Sequence, residues 1–220
     1  MKIIELKKSV TESNDRDADA LRRELKERDI FLINLMSSPG SGKTTLISRT
    51  ITDLSGRVNI GVMEADIASD VDALKIASLG AESIQVHTDG MCHMDAGMTK
   101  AGVDALSGNG ARIVFLENIG NLICPAEFDT GAHKNVMILS VPEGDDKPLK
   151  YPLMFRKSDA LIITKTDALP YFDFDINLAT SRAKALNPAI EVFPVSAKTG
   201  DGMARFEKWL TEKREELFNA

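Results

Sequence analysis

Cysteine, histidine and tryptophan are scarce in this chain of 220 residues, which holds two cysteines, three histidines and one tryptophan. Two thiols, Cys92 and Cys124, can make one disulfide at most, and nothing marks the chain for secretion. A disulfide scaffold is therefore excluded and reduced thiols are expected. Positive charge is also short: 27 Lys and Arg stand against 33 Asp and Glu, a net charge of −6. With no basic run and no interleaved aromatic platform, nucleic acid is excluded as the main partner, because phosphate backbones are bound by basic faces. No apolar run reaches the length of a membrane span, and the opening "MKIIELKKSV" has neither a long hydrophobic segment nor a small-residue cleavage site. These absences lead us to expect a soluble cytoplasmic protein with no membrane partner. There is no internal repeat, low-complexity stretch or Pro/Gly/Ser linker either, so residues 30–220 are expected to form one domain, preceded by a charged helical extension over 1–29.

What is present alternates. Residues 11–28, "TESNDRDADALRRELKER", mix both charge signs and hold few apolar residues, as in a solvated helix on the domain edge. Short apolar runs follow at 30–36, 58–64, 83–88, 112–118, 135–141, 160–166 and 190–196. Helix-length segments at 43–54, 93–107, 174–187 and 203–217 lie between them. The runs are nearly continuous rather than alternating, which means strands covered on both faces. The pattern predicts an α/β fold with a doubly wound, mainly parallel sheet, helices on both faces and a ligand beyond the strand C-termini.

The first of these strands feeds "SSPGSGKTT", residues 37–45. Glycines at 40 and 42 let backbone amides close around phosphate oxygens, and the next helix presents its positive end to the same anion. Lys43 can reach the outer phosphates and the Thr44 hydroxyl can ligate Mg²⁺, which makes the segment a phosphate loop of P-loop NTPases, with Gly40, Ser41, Gly42, Lys43, Thr44 and Thr45 as binding residues. The general pattern has glycine where this chain has Ser37. Carboxylates at later strand ends, Glu64, Asp66, Asp70 and Glu117, are candidates to hold Mg²⁺ and orient an attacking water. The preferred pair is Asp66 and Glu117, acting with Lys43.

Base selection is expected near the C-terminus. In "ITKTD", Asp167 can accept from both guanine N1–H and its exocyclic amine, a geometry adenine lacks, while the stem of Lys165 covers the base. In "VSAKTG", the turn at Ser196, Ala197 and Lys198 can offer backbone N–H to the guanine oxygen. The first segment resembles the Asn-Lys-x-Asp motif of GTPases, with Thr164 in place of the asparagine, so GTP is favoured over ATP through Asp167.

"MCHMDAG" sets Cys92 directly beside His93. A nucleophile with its base is disfavoured, because a P-loop enzyme attacks phosphate with water. An ordinary pair, with Cys92 packed and His93 capping or exposed, is the plain alternative. The metal alternative is supported by Cys124 in "NLICPAEFD", because thiolate and imidazole suit Zn²⁺ or Ni²⁺ better than Mg²⁺. One subunit supplies too few ligands, so a metal bridging a twofold dimer is the economical arrangement.

Taken together, "SSPGSGKTTL", "IQVHTDGMCHMDA", "FLENIGNLICPAEFD", "SVPEGDDKPLKYPLMF" and "NPAIEVFPVSAKTGDGM" resemble the hydrogenase nickel-incorporation GTPases, the HypB family, from about residue 30 to the end. The resemblance implies that Cys92, His93 and Cys124 bind nickel or zinc at a nucleotide-dependent homodimer interface. It further implies GTP hydrolysis to GDP coupled to nickel delivery into the large subunit of [NiFe] hydrogenase, aided by a small accessory protein, with Lys147 and Lys150 reaching toward the interface or the partner's nucleotide. The chain has no cysteine before Cys92 and its histidines, His87, His93 and His133, are isolated, which leaves the interface site as the nickel candidate. Ala65 stands where a glycine is frequent in the family. Two other functions fit less of the sequence. The urease accessory GTPases, which also handle nickel, use Cys-Pro-His where Cys92 and His93 are adjacent here. A nucleotide-controlled regulatory module would hold a structural zinc.

Overall fold

The structure, a computed structural model, describes residues 6–65, 70–88, 90–106 and 110–219. In chain order the elements are α1 (Leu6–Glu27), β1 (Phe31–Ser37), α2 (Lys43–Asp53), β2 (Ile60–Glu64), α3 (Asp70–Ser78), β3 (Glu82–Gln85) and α4 (Ala96–Ala105). There follow β4 (Ile113–Glu117), α5 (Cys124–Glu127), β5 (Lys134–Ser140), α6 (Lys147–Lys150), α7 (Pro152–Arg156), β6 (Ala160–Thr164), α8 (Ile176–Leu186), β7 (Glu191–Pro194) and α9 (Met203–Phe218). Each expected strand is present, and every pairing is parallel, in the order β3-β2-β4-β1-β5-β6-β7. The sheet is thus all-parallel rather than mainly so.

Alternation along β1 shows how the two faces are covered. Phe31, Ile33 and Leu35 point into a cluster with Leu46, Ile47 and Ile51 of α2 and Phe206, Trp209 and Leu210 of α9. On the other face, Leu32 joins Leu21 and Leu25 of α1 and Val103 of α4, while Met36 joins Met154 and Phe155 of α7 and Ala179 of α8. Helices on both faces make every β1 residue buried, which is why its sequence reads as an apolar run without a period. One polar residue interrupts that run: Asn34, 1% exposed, lies between the two clusters of the second face.

α1 is more deeply packed than its composition implied. Ala18, Leu21 and Leu25 are 0–2% exposed and recur at a spacing of three and four, one stripe of a helix. From Glu12 onward its charged residues face water or make ion pairs, such as Glu24 with Lys100 at 2.8 Å, and Arg28 just after the helix pairs with Asp104 at 2.7 Å. Few apolar residues suffice when all lie on one stripe. Among the described residues no helix is long and apolar enough to cross a membrane.

Candidate functional site

The segment 37–45 leaves the C-terminal end of β1 and enters α2. Gly40 and Gly42 adopt φ of 72° and 99°, a left-handed region that side chains resist, so the turn depends on glycine at both places. The loop closes on itself through Ser37, which is fully buried. Lys43 Nζ donates to Ser37 Oγ at 2.8 Å and Ser41 Oγ donates to the same oxygen at 2.7 Å. The serine at the departing position therefore acts as an acceptor that a glycine lacks.

At the tip of the neighbouring strand β4, Glu117 accepts from Thr44 Oγ1 at 3.0 Å. Two oxygen ligands in adjacent positions of an octahedron with Mg–O distances near 2.1 Å lie about 3 Å apart, so this pair has the spacing a Mg²⁺ ion requires. Asp66, the other preferred carboxylate, lies outside the described residues. Glu64 is 3% exposed in β2. A cavity of about 500 Å³ opens between the phosphate loop, Ala65, Lys75, Glu117 and Lys165.

The base-selecting segments reach the same loop. Thr164, 3% exposed, donates its hydroxyl to the Ser41 carbonyl at 2.7 Å, and Lys165 Nζ donates to the Gly40 carbonyl at 2.7 Å. Lys165 holds φ of 59°, a left-handed conformation that costs a residue bearing a Cβ and is maintained by its surroundings. Thr164 thus does structural work, tying β6 to the phosphate loop. Asp167 Oδ1 accepts from Ser196 Oγ at 2.7 Å, which orients the carboxylate. The Ser196 amide is committed to the Asp201 carbonyl at 2.9 Å, so Ala197 and Lys198 carry the amides left for a ligand in that turn.

The thiols gather at the same end of the sheet. Cys92 and Cys124 are free and close enough that the neighbouring thiol raises the pKa of Cys92, with burial adding to the shift. Cys92 is exposed, whereas His93 is 6% exposed, the reverse of a packed cysteine beside an exposed histidine. The His93 ring stacks on Phe128 with centroids 3.7 Å apart, and burial lowers its pKa, which favours the neutral imidazole. Its Nδ1 lies 3.8 Å from Cys92 Sγ, and its buried Nε2 has no hydrogen-bond partner among the described residues. The three residues are neighbours, yet among the described residues no three His, Cys, Asp or Glu side chains converge as a metal-binding group. The pair precedes α4 instead of beginning it, because Asp95 caps that helix by accepting from Met98 N at 2.8 Å.

Residues 31–194 match the family described as CobW/HypB/UreG, nucleotide-binding domain. The hydrogenase maturation factor HypB of Rhizobium leguminosarum bv. viciae is 44% identical over 209 residues, spanning 95% of this chain and 70% of that protein. The chain belongs to the HypB family. HypB from Archaeoglobus fulgidus superposes with a TM-score of 0.86 at 34% identity, covering 92% of this chain and 98% of that one. HypB from Helicobacter pylori in complex with nickel superposes with a TM-score of 0.88 at 35% identity, covering 94% and 97%.

Within this HypB framework, several residues that hold the site together escaped the sequence reading. Asn14 of α1, 9% exposed, accepts from Ala96 N at 3.0 Å and donates to the Asp129 carbonyl at 2.8 Å. It clamps the segment after Cys92 and His93 to the segment after Cys124. Arg22 adds an ion pair to Asp129 and a hydrogen bond to the Ala132 carbonyl. Asn14 lies 115 residues from Asp129, and no local signal reports such a contact. Of the two lysines tied to the interface by resemblance, Lys150 pairs with Asp146 at 2.5 Å within its own turn, and Lys147 lies 5.7 Å over the Tyr151 ring.

Proposed function

We propose that this member of the HypB family is a Mg²⁺-dependent GTPase that acts as a nickel metallochaperone in the cytoplasm, coupling GTP hydrolysis to nickel delivery during [NiFe] hydrogenase maturation. The observation that carries this reading is the placement of Cys92, His93 and Cys124 on the sheet end that bears the phosphate loop, in a fold shared with a nickel-bound HypB.

The chain's own residues account for the reaction as follows. The loop amides and the Lys43 ammonium bind the phosphates and offset negative charge that builds in the transition state. Thr44, Asp66 and Glu117 would hold Mg²⁺, which would supply positive charge that lowers the repulsion of the phosphates toward an attacking water. Asp167 selects guanine, Lys165 covers the base, and the amides of Ala197 and Lys198 face its oxygen. Neutral His93 and the two thiols, as thiolates, supply soft donors for Ni²⁺ or Zn²⁺ as cargo. One protomer offers three, so a nucleotide-dependent homodimer doubles the set. The small accessory protein and the hydrogenase large subunit are the partners that receive or share the metal.

The test is equilibrium dialysis of Ni²⁺ with GDP and with a non-hydrolysable GTP analogue, on wild type and Cys92→Ala. Nucleotide-dependent uptake near one ion per two protomers, lost in the variant, is expected. Uptake indifferent to both nucleotide and variant removes the delivery role and leaves a nucleotide-binding protein.

A further inference from the structure

The turn proposed to meet the base is closed by its own hydrogen bonds. Gly200 N donates to the Ser196 carbonyl at 2.8 Å and Thr199 N donates to Ser196 Oγ at 3.2 Å, the same hydroxyl that orients Asp167. At Gly200 the turn is touched from outside by α2. Gly200 holds φ of 92°, and a Cβ there would lie 2.7 Å from Arg49 Nη2 and 3.2 Å from both its Cζ and its Nη1. The Arg49 guanidinium thus fills the space of a side chain, so glycine is required by contact as well as by conformation.

Helix stability does not explain Arg49. Its Nε donates to Asp53 Oδ2 at 2.6 Å, one turn along α2. Asp53 is the last residue of that helix, where the macrodipole disfavours negative charge, and a base four residues before an acid is the weaker order of such a pair. The pair instead holds the guanidinium over Gly200. Glu207 of α9 faces it: 9% exposed, within hydrogen-bonding range of Asp53, with no hydrogen-bond partner for Oε1 among the described residues. Burial, then the charge and hydrogen bond of Asp53, raise the Glu207 pKa to about 7, while Arg49 and Arg57 act against the shift. Glu207 also lines a cavity of about 760 Å³. Across it, Arg112 and Arg214 are held by Asp29 and Lys208 by Glu212, and Glu215 adds a like charge.

We infer that Arg49 is a positioning residue for base recognition, fixing the turn at 196–200 against the helix that leaves the phosphate loop, with Asp53 and Glu207 setting its grip. α2 begins at Lys43, so Arg49 lies within about two turns of the phosphates and one rigid helix sets the distance from phosphate to base. Neutral Glu207 donates to Asp53 and leaves Arg49 over Gly200. Ionised Glu207 repels Asp53 and draws Arg49 toward itself, which loosens the turn. This inference rests on the proposed recognition of guanine by Asp167 and the turn.

The experiment measures dissociation constants of the full chain with Mg²⁺ for GDP, ADP and inorganic pyrophosphate. It compares wild type, Arg49→Ala and Glu207→Gln about one pH unit either side of 7. Arg49 is one-third exposed, so its loss leaves no cavity in the core. Arg49→Ala is expected to bind GDP about tenfold more weakly, the worth of one well-placed hydrogen bond, and pyrophosphate within about twofold of wild type. A merely structural defect in α2 lowers both alike, because pyrophosphate reads the phosphate loop without the turn. From the lower to the higher pH, wild type is expected to lose about threefold in GDP affinity relative to Glu207→Gln, whose amide donates to Asp53 at either pH. Ionisation of GDP itself is common to both proteins and cancels. Equal loss of GDP and pyrophosphate in Arg49→Ala, or loss of neither, overturns the positioning role. Identical pH profiles in wild type and Glu207→Gln overturn the control by Glu207. Wild type that binds ADP as tightly as GDP overturns the guanine reading itself, a failure seen without any substitution.

Discussion

His133 is the residue whose chemistry the fold alters most plainly. It sits just before β5, stacks on Phe31, and accepts from Leu32 N through Nδ1 at 3.1 Å. Its buried Nε2 has no hydrogen-bond partner among the described residues. Burial lowers its pKa from 6.5 to about 4. Between those values the unfolded chain binds a proton that the folded chain refuses, so stability falls as pH drops through 6.5 and continues to fall toward 4. The full difference corresponds to about 3 kcal/mol. Urea titrations between pH 7.5 and 4.5 check this: the acid-side loss is expected to shrink by that order in His133→Asn, even though the variant starts less stable. Asp167 makes a second prediction at this scale. Its carboxylate, oriented by Ser196, is proposed to accept two charge-assisted hydrogen bonds from guanine. Asp167→Ala is expected to weaken GDP binding by about 3 kcal/mol, roughly a hundredfold, and to leave any ADP binding unchanged, as read by fluorescent-nucleotide competition.

α1 is the element whose role differs most from its composition. Its buried stripe of Ala18, Leu21 and Leu25 packs on α4 and β1, and its Asn14 spans the two thiol-bearing segments. Leu25→Ala is expected to cost about 2–5 kcal/mol, the range for emptying a fully buried leucine site. Far-UV circular dichroism in urea is expected to show one transition shifted to lower denaturant, not early loss of a helix followed by an unchanged main transition. The latter outcome would make α1 an independent appendage.

Nucleotide is expected to stabilise the molecule as a whole, because it joins the phosphate loop to the segments around Thr164 and Ser196. A ligand at a hundred times its Kd adds about 2.7 kcal/mol to a fold it binds only when native. Thermal melts with Mg²⁺ and GDP are expected to rise accordingly in wild type. Lys43→Ala, which removes the buried ammonium from the loop, is expected to melt with little response to ligand.

The inner strands were legible because each, covered on both faces, is a local apolar run, more so than the half-buried edge strand β3, and the phosphate loop because glycine, lysine and threonine must sit at fixed spacing along one turn. Cys92, His93 and Cys124 stood out for the opposite reason, their rarity in the chain. Less was legible in α1, where three apolar side chains on one stripe were diluted by many charged ones. Nothing local marked Asn14, Asn34 or Asn118, whose partners lie 82 to 115, 84 to 101 and up to 84 residues away. The sequence by itself determined the periodicities, the loop chemistry and the family. Only the tertiary structure decided that Ser37 holds Lys43, that Thr164 ties a strand to the phosphate loop, and that Asn118 ties Asn34 of the sheet to the backbone of Met94. Periodicity and motif spacing are properties of neighbouring residues, whereas a hydrogen bond between distant strands exists only after the sheet has brought its partners together.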